Sequence, residues 1–250
     1  MSLAITRTAS LLYDSLLAVV FPQTCAVCTD LVAARADGIA CGNCRARIKL
    51  FQEDDSLCWK CGAPSRGQIS FEQKESVRCQ RCSLDRFTAA RACGVYEGAL
   101  RASVLLLKRE PFVSARLIRL LSDVFARAPL NAATIIVPVP LHGERIKARG
   151  FNQAAVLAQK LSRSAHLPLN DTSLVRILHT ERHRAGMDAK GRRDTVVNAF
   201  QVLNPRVMEG ERVLLIDDVF TTGATASACA RALFEAGAAE VLVLTLARAL

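Results

Sequence analysis

Hydrophobic positions change their spacing along this chain, and the changes mark out its elements. Near the start, Leu11, Leu12, Ser15, Leu16, Val19 and Val20 trace a mostly apolar stripe at helical spacing, which predicts an amphipathic helix over 1–22. Between residues 23 and 87 neither the helical nor the strand period is sustained. From 88 onward longer patterns take over. "EGALRASVLLLKRE" (97–110) and, after Pro111, "FVSARLIRLLSDVFARA" (112–128) read as helices. "TIIVPVP" (134–140) is a short β-rich run, followed by a basic loop, "LHGERIKARG" (141–150), and a helix, "FNQAAVLAQKLSRSA" (151–165). "SLVRIL" (173–178) reads as a strand, "ERVLLIDD" (211–218) as a buried strand, "GATASACARALFEAG" (223–237) as a helix and "EVLVLTLA" (240–247) as a last strand.

Strands that alternate with helices predict an α/β domain over 88–250 with a mostly parallel sheet. Ligands of such sheets bind beyond the carboxyl ends of the strands. A chain of 250 residues, 51% hydrophobic, is long enough for that domain plus a small satellite over 23–87. Charged residues interrupt every apolar run before it reaches the roughly 20 residues of a membrane-spanning helix. The segment 9–21 imitates a secretory core, but it contains Asp14, has only Arg7 before it and lacks a small-residue cleavage pattern. A soluble, cytoplasmic protein is expected.

The satellite declares its chemistry through cysteine. Eight of the ten cysteines form four CxxC pairs: Cys25 and Cys28, Cys41 and Cys44, Cys58 and Cys61, Cys79 and Cys82. Each pair puts two thiolates on one tight knuckle, and two knuckles complete the four-sulfur shell of a structural zinc. Two zinc sites follow. Sequential pairing of knuckles closes the shorter loops, while interleaved pairing stays open. The competing reading, a disulfide framework, requires an oxidising compartment. Trp59, inside the third knuckle, is expected to pack, and Cys93 and Cys229, alone in apolar contexts, to be buried small residues.

A formal charge of +10 and a pI near 9.4 make polyanions plausible partners. The stretch "VLLIDDVFTTGAT" (213–225) names a narrower one. A buried strand delivers Asp217 and Asp218 to its carboxyl end. The turn that follows gathers backbone N–H groups and the hydroxyls of Thr221, Thr222 and Thr225 around Gly223 and Ala224 at a helix N-terminus, a ready phosphate cradle. An acid pair for vicinal hydroxyls beside such a cradle suits a ribose 5-phosphate.

Those thirteen residues resemble the 5-phosphoribosyl 1-diphosphate signature of type I phosphoribosyltransferases. Together with "VPVPLHGERIKARGFNQA", "LVRILHTERHRAG", the final "LTLARAL" and the cysteine domain, they resemble the ComF family, also called ComFC or GntX-like, over nearly the whole chain. The family joins a double zinc ribbon to a phosphoribosyltransferase domain and is linked to DNA uptake in competent bacteria. The resemblance implies that Asp217 and Asp218 hold the ribose hydroxyls, directly or through magnesium, and that Thr221 to Thr225 hold the 5-phosphate. It implies that Arg145, Lys147, Arg149 and Gly150 take the diphosphate, with Lys108 matching a family lysine. The resemblance places a retained, catalytic Arg192 in the mobile loop of type I enzymes, where the family usually has Gln at the place of His183 and Asn at that of Thr195. His183, His142 and His179 read as solvated side chains. A hood over the acceptor is expected from the helices at about 94–128 or from the ribbons. The implied partners are 5-phosphoribosyl 1-diphosphate and, on a non-catalytic reading of the pocket as a sensor, single-stranded DNA or DNA-uptake proteins.

Overall fold

A computed structural model of the chain describes residues 23–32, 38–65, 71–177 and 198–250. The predicted N-terminal helix and Arg192, His179, His183 and Thr195 lie outside them. The centre is a four-stranded, wholly parallel sheet, in spatial order β1 (Ala89–Val95), β6 (Glu240–Arg248), β5 (Arg212–Phe220) and β2 (Ile135–Pro138). Side chains alternate between its faces, as the two-residue period of a strand requires. Leu214, Ile216, Leu242 and Leu244 pack on one side with the helices α2 (Gly98–Leu107), α3 (Ala115–Phe125) and α5 (Gln153–Ala165). Val213, Leu215, Val241 and Val243 pack on the other with α6 (Ala224–Glu235) and a two-stranded antiparallel excursion, β3 (Leu174–Arg176) with β4 (Phe200–Val202).

Two expectations are corrected. The segment 141–150 is not simply a loop, because it carries the helix α4 (Gly143–Arg149), whose first turn is capped by His142 accepting at Nδ1 from Glu144 N. The helix-first start of the second domain also missed β1. Its sequence, AARACGV, has weak β-propensity, and it is a strand because of what covers it.

That cover is the cysteine-rich region. On the edge of β1 away from β6, Phe51 N donates to Cys93 O at 3.0 Å, Val95 N to Lys49 O at 2.9 Å and Ala90 N to Lys60 O at 2.6 Å. Gly94 is needed there, since a Cβ would collide with the Lys49 carbonyl. A bare strand edge invites pairing with other chains, and here it is filled along its length. The short helix α1 (Gly42–Ala46) lies in the first cysteine lobe, which packs on Ala99 at the start of α2. The second lobe packs on the face that α6 covers, where Cys58, Cys61 and Cys82 join Phe87 and Phe220 in one apolar cluster. No helix among the described residues is long and apolar enough to cross a membrane.

Candidate functional site

The eight knuckle cysteines gather as Cys25, Cys28, Cys41 and Cys44 in one group and Cys58, Cys61, Cys79 and Cys82 in the other, so the pairing is sequential. Within each group the Sγ atoms all lie within 4.8 Å of one another. Close Sγ separations are 3.5 Å for Cys28 and Cys41, 3.6 Å for Cys58 and Cys82, and 3.5 Å for Cys61 and Cys79. A tetrahedron with Zn–S bonds of about 2.3 Å has edges of about 3.8 Å. All ten cysteines are free thiols, so the disulfide framework is set aside. Backbone N–H groups of Val27 and Cys41 reach the Cys25 sulfur at 3.4 and 3.3 Å, and Cys79 N reaches that of Cys58 at 3.3 Å. Burial raises the Cys25 pKa, but the N–H bonds outweigh it and bring the thiol down to about 6, poised as a thiolate ligand. Both groups therefore fit a closed, structural zinc.

Cys93 and Cys229 are fully buried and their thiols are pushed up by burial, which suits small core residues and not nucleophiles.

The acid pair sits on β5, but the strand does not stop there. It runs on to Phe220, while its neighbour β2 ends opposite Ile216. Asp217 and Asp218 are thus the first residues of β5 beyond the end of β2, at the carboxyl end of the sheet, where ligands of parallel sheets bind. Val139 N still donates to Ile216 O at 2.9 Å, and Asn152 Nδ2 returns to Val139 O at 3.0 Å. The segment bearing α4 leaves and re-enters beside the acids. Of its cations, Lys147 is exposed and Arg149 donates from Nη1 to Gln153 Oε1. Gly150 caps α4.

The two acids have different surroundings. Asp218 is buried, and Lys108 Nζ, at the end of α2, lies 3.1 Å from its Oδ2. Among the described residues that oxygen accepts no hydrogen bond, not even from the amine. Asp217 accepts from the backbone N–H of Asp218 at 2.8 Å through Oδ1. Burial first, and then the neighbouring Asp218, hold the Asp217 carboxyl well above its ordinary pKa. An acid pair so placed favours a cation, or hydroxyl groups that share its charge.

Three residues on, the turn places Thr221, Thr222, Ala224 and Thr225 at the exposed N-terminus of α6, with Gly223 buried as its cap at φ 83°. Thr222 Oγ1 accepts from Ala224 N at 3.4 Å. Sequence reasoning missed what stands behind this turn. A Cβ on Gly223 would lie 2.9 Å from Phe220 Cζ and 3.1 Å from Oδ2 of Asp85, a residue just past the last knuckle. Arg86 N donates to Ser227 Oγ in α6 at 2.9 Å, and the rings of Phe87 and Phe220 meet edge to face at 5.7 Å. Burial raises the Asp85 pKa, against the nearby charges of Lys60 and Arg248. The second ribbon is therefore packed against the threonine turn. No local signal marked Asp85, because its partners lie far along the chain.

A parallel sheet with an acid pair at its carboxyl end and a threonine turn opening the next helix defines a phosphoribosyltransferase-type domain, here with two four-cysteine lobes attached. Comparison with known families agrees: residues 16–83 match the double zinc ribbon domain and residues 146–250 the phosphoribosyl transferase domain. Competence protein F of Haemophilus influenzae is 31% identical over 238 residues, covering 92% of this chain and 98% of that protein. DNA utilization protein YhgH of Escherichia coli K12 is 31% identical over 237 residues, with the same coverage. Competence protein ComFC of Bacillus subtilis is 29% identical over 231 residues, covering 87% of this chain and 88% of that protein. The chain belongs to the ComF family.

Proposed function

We propose that residues 88–250 bind 5-phosphoribosyl 1-diphosphate with magnesium and act as a phosphoribosyltransferase, in a cytoplasmic protein whose residues 23–87 are a structural double zinc ribbon. One observation carries the reading: the acid pair begins where β2 ends, and the threonine turn follows on the same strand. Asp217 and Asp218 accept the ribose hydroxyls, and Thr221, Thr222, Gly223, Ala224 and Thr225 cradle the 5-phosphate with backbone N–H groups, hydroxyls and the helix dipole. Arg145, Lys147, Arg149 and Gly150 receive the diphosphate, where cations and N–H groups stabilise charge growing on the leaving group. Arg192, outside the described residues, is assigned to catalysis on the family resemblance. The residues present suit magnesium, since the buried Asp218 Oδ2 accepts no hydrogen bond among the described residues, and burial and then a second acid raise the Asp217 carboxyl. Asp217 and Asp218 would hold magnesium, which would supply a divalent charge to offset the negative charge of the ligand.

The names of the relatives, competence and DNA utilization, support a role for this chain in taking up or using DNA. They equally suit a second reading, a non-catalytic sugar-phosphate sensor acting with single-stranded DNA or uptake proteins. Calorimetric titration of the zinc-loaded protein with 5-phosphoribosyl 1-diphosphate and magnesium tests the pocket. Binding by the wild type and not by Asp217→Asn is expected. Equal binding by both, or by neither, overturns the site. Diphosphate release on adding acceptors then separates transferase from sensor.

A further inference from the structure

A cavity of about 330 Å³ lies between the second cysteine lobe and the outer edge of β1. It is separate from the acid pair. Ala92 lines it, and Ala92 is in register with Thr245 of β6, which is in register with Asp217, so β6 stands between cavity and acids. Its size is at the small end of ligand pockets, roughly 300–1,000 Å³.

The walls are apolar, with Phe51, Leu57 and Val124, and Trp59 joins them. Trp59 is held rigidly. Its backbone N–H donates to Val77 O at 2.9 Å and its backbone carbonyl accepts from Arg91 Nη1 at 2.7 Å, while the Arg91 guanidinium carbon lies 5.0 Å from the ring centre and restrains the ring. A fixed aromatic loses little freedom when a planar ligand stacks on it. Charge selects the kind of planar ligand. Three cations (Lys74, Arg91, Arg127) and three carboxylates (Glu53, Asp55, Glu75) line the cavity, so it carries no net field for a phosphate. Lys74, Arg91 and Arg127 each donate to a backbone carbonyl, those of Glu53, Trp59 and Phe51, and stand with the carboxylates beside an aromatic face, so donor and acceptor groups are gathered together. That combination matches the edge and face of a nucleobase.

We propose that this cavity is a nucleobase site, filled either by a free nucleoside or by one base of a single strand. It is independent of 5-phosphoribosyl 1-diphosphate, which has no base.

Trp59 is the only tryptophan in the chain, so its fluorescence reports on this cavity alone. The zinc-loaded full chain, without magnesium, is titrated with deoxyadenosine, thymidine, a short oligothymidylate and an abasic strand of the same length. Saturable quenching by nucleosides assigns the site to a free base. Quenching by the oligothymidylate only, and not by the abasic strand, assigns it to a strand. Adding 5-phosphoribosyl 1-diphosphate does not displace the base. Trp59→Phe keeps an aromatic face and most of the affinity by equilibrium dialysis. Trp59→Leu, checked for two zinc ions per chain, binds roughly 5- to 150-fold more weakly. The proposal is overturned by no quenching from any base, by equal quenching from the abasic strand, or by wild-type affinity in Trp59→Leu.

Discussion

Arg248, the last residue of β6, donates from Nη1 to the carbonyl of Cys61 at 2.6 Å, joining the end of the sheet to the third cysteine knuckle. Its guanidinium also lies 4.6 Å from the centre of the Phe220 ring. Arg248→Ala removes a charge-assisted bond and leaves a buried carbonyl unpaired. The expected loss is about 2 kcal/mol in denaturant unfolding. Arg248→Lys should recover little of it, because an ammonium supplies neither the planar fork nor the stacking face.

Stripping zinc should expose the edge of β1. Metal analysis is expected to give two zinc ions per chain, one for each four-cysteine group. A strong chelator under reducing conditions removes the metal that closes each lobe, and the bonds from Phe51, Val95 and Ala90 go with the lobes. Light scattering should then rise as the freed edge pairs between chains. A chelated protein that stays monomeric would contradict this account of what covers β1.

Asp217→Asn should trade function for stability. The native Asp217 carboxyl holds its proton to higher pH than the unfolded chain does. As pH rises from the ordinary carboxylate range toward that raised value, the unfolded chain releases its proton first, and the unliganded protein loses stability. Asparagine removes that loss, so the variant should be on the order of 1 kcal/mol more stable at neutral pH. Binding of 5-phosphoribosyl 1-diphosphate needs the deprotonated acid and should strengthen as pH rises through the same range. Lys108 opposes the raised pKa, so Lys108→Ala should move the midpoint of that binding curve to higher pH.

Gly223→Ala tests the contact between ribbon and threonine turn. A left-handed backbone costs a residue with a Cβ roughly 1–2 kcal/mol. The new methyl would also press on Phe220 and Asp85. Thermal unfolding should show at least that loss, and calorimetry should show weaker sugar-phosphate binding. An unchanged affinity would mean that the turn does not hold the phosphate.

The sequence by itself determined whatever rests on neighbours along the chain. The CxxC spacing specifies knuckles because each pair shares one tight turn. Four apolar residues before Asp217 specify a strand buried on both faces, and the amphipathic spacing of 112–128 specifies α3. Tertiary structure decided what depends on distant surfaces. The stretch AARACGV becomes a strand only when β6 fills one edge and the ribbons the other. The placement of Asp85 behind Gly223 and of Trp59 beside Arg91 depends on how the second lobe docks. Arg248 and Cys61 are 187 residues apart, and no local pattern encodes such a pair, because burial and hydrogen-bond satisfaction are settled only when both surfaces meet.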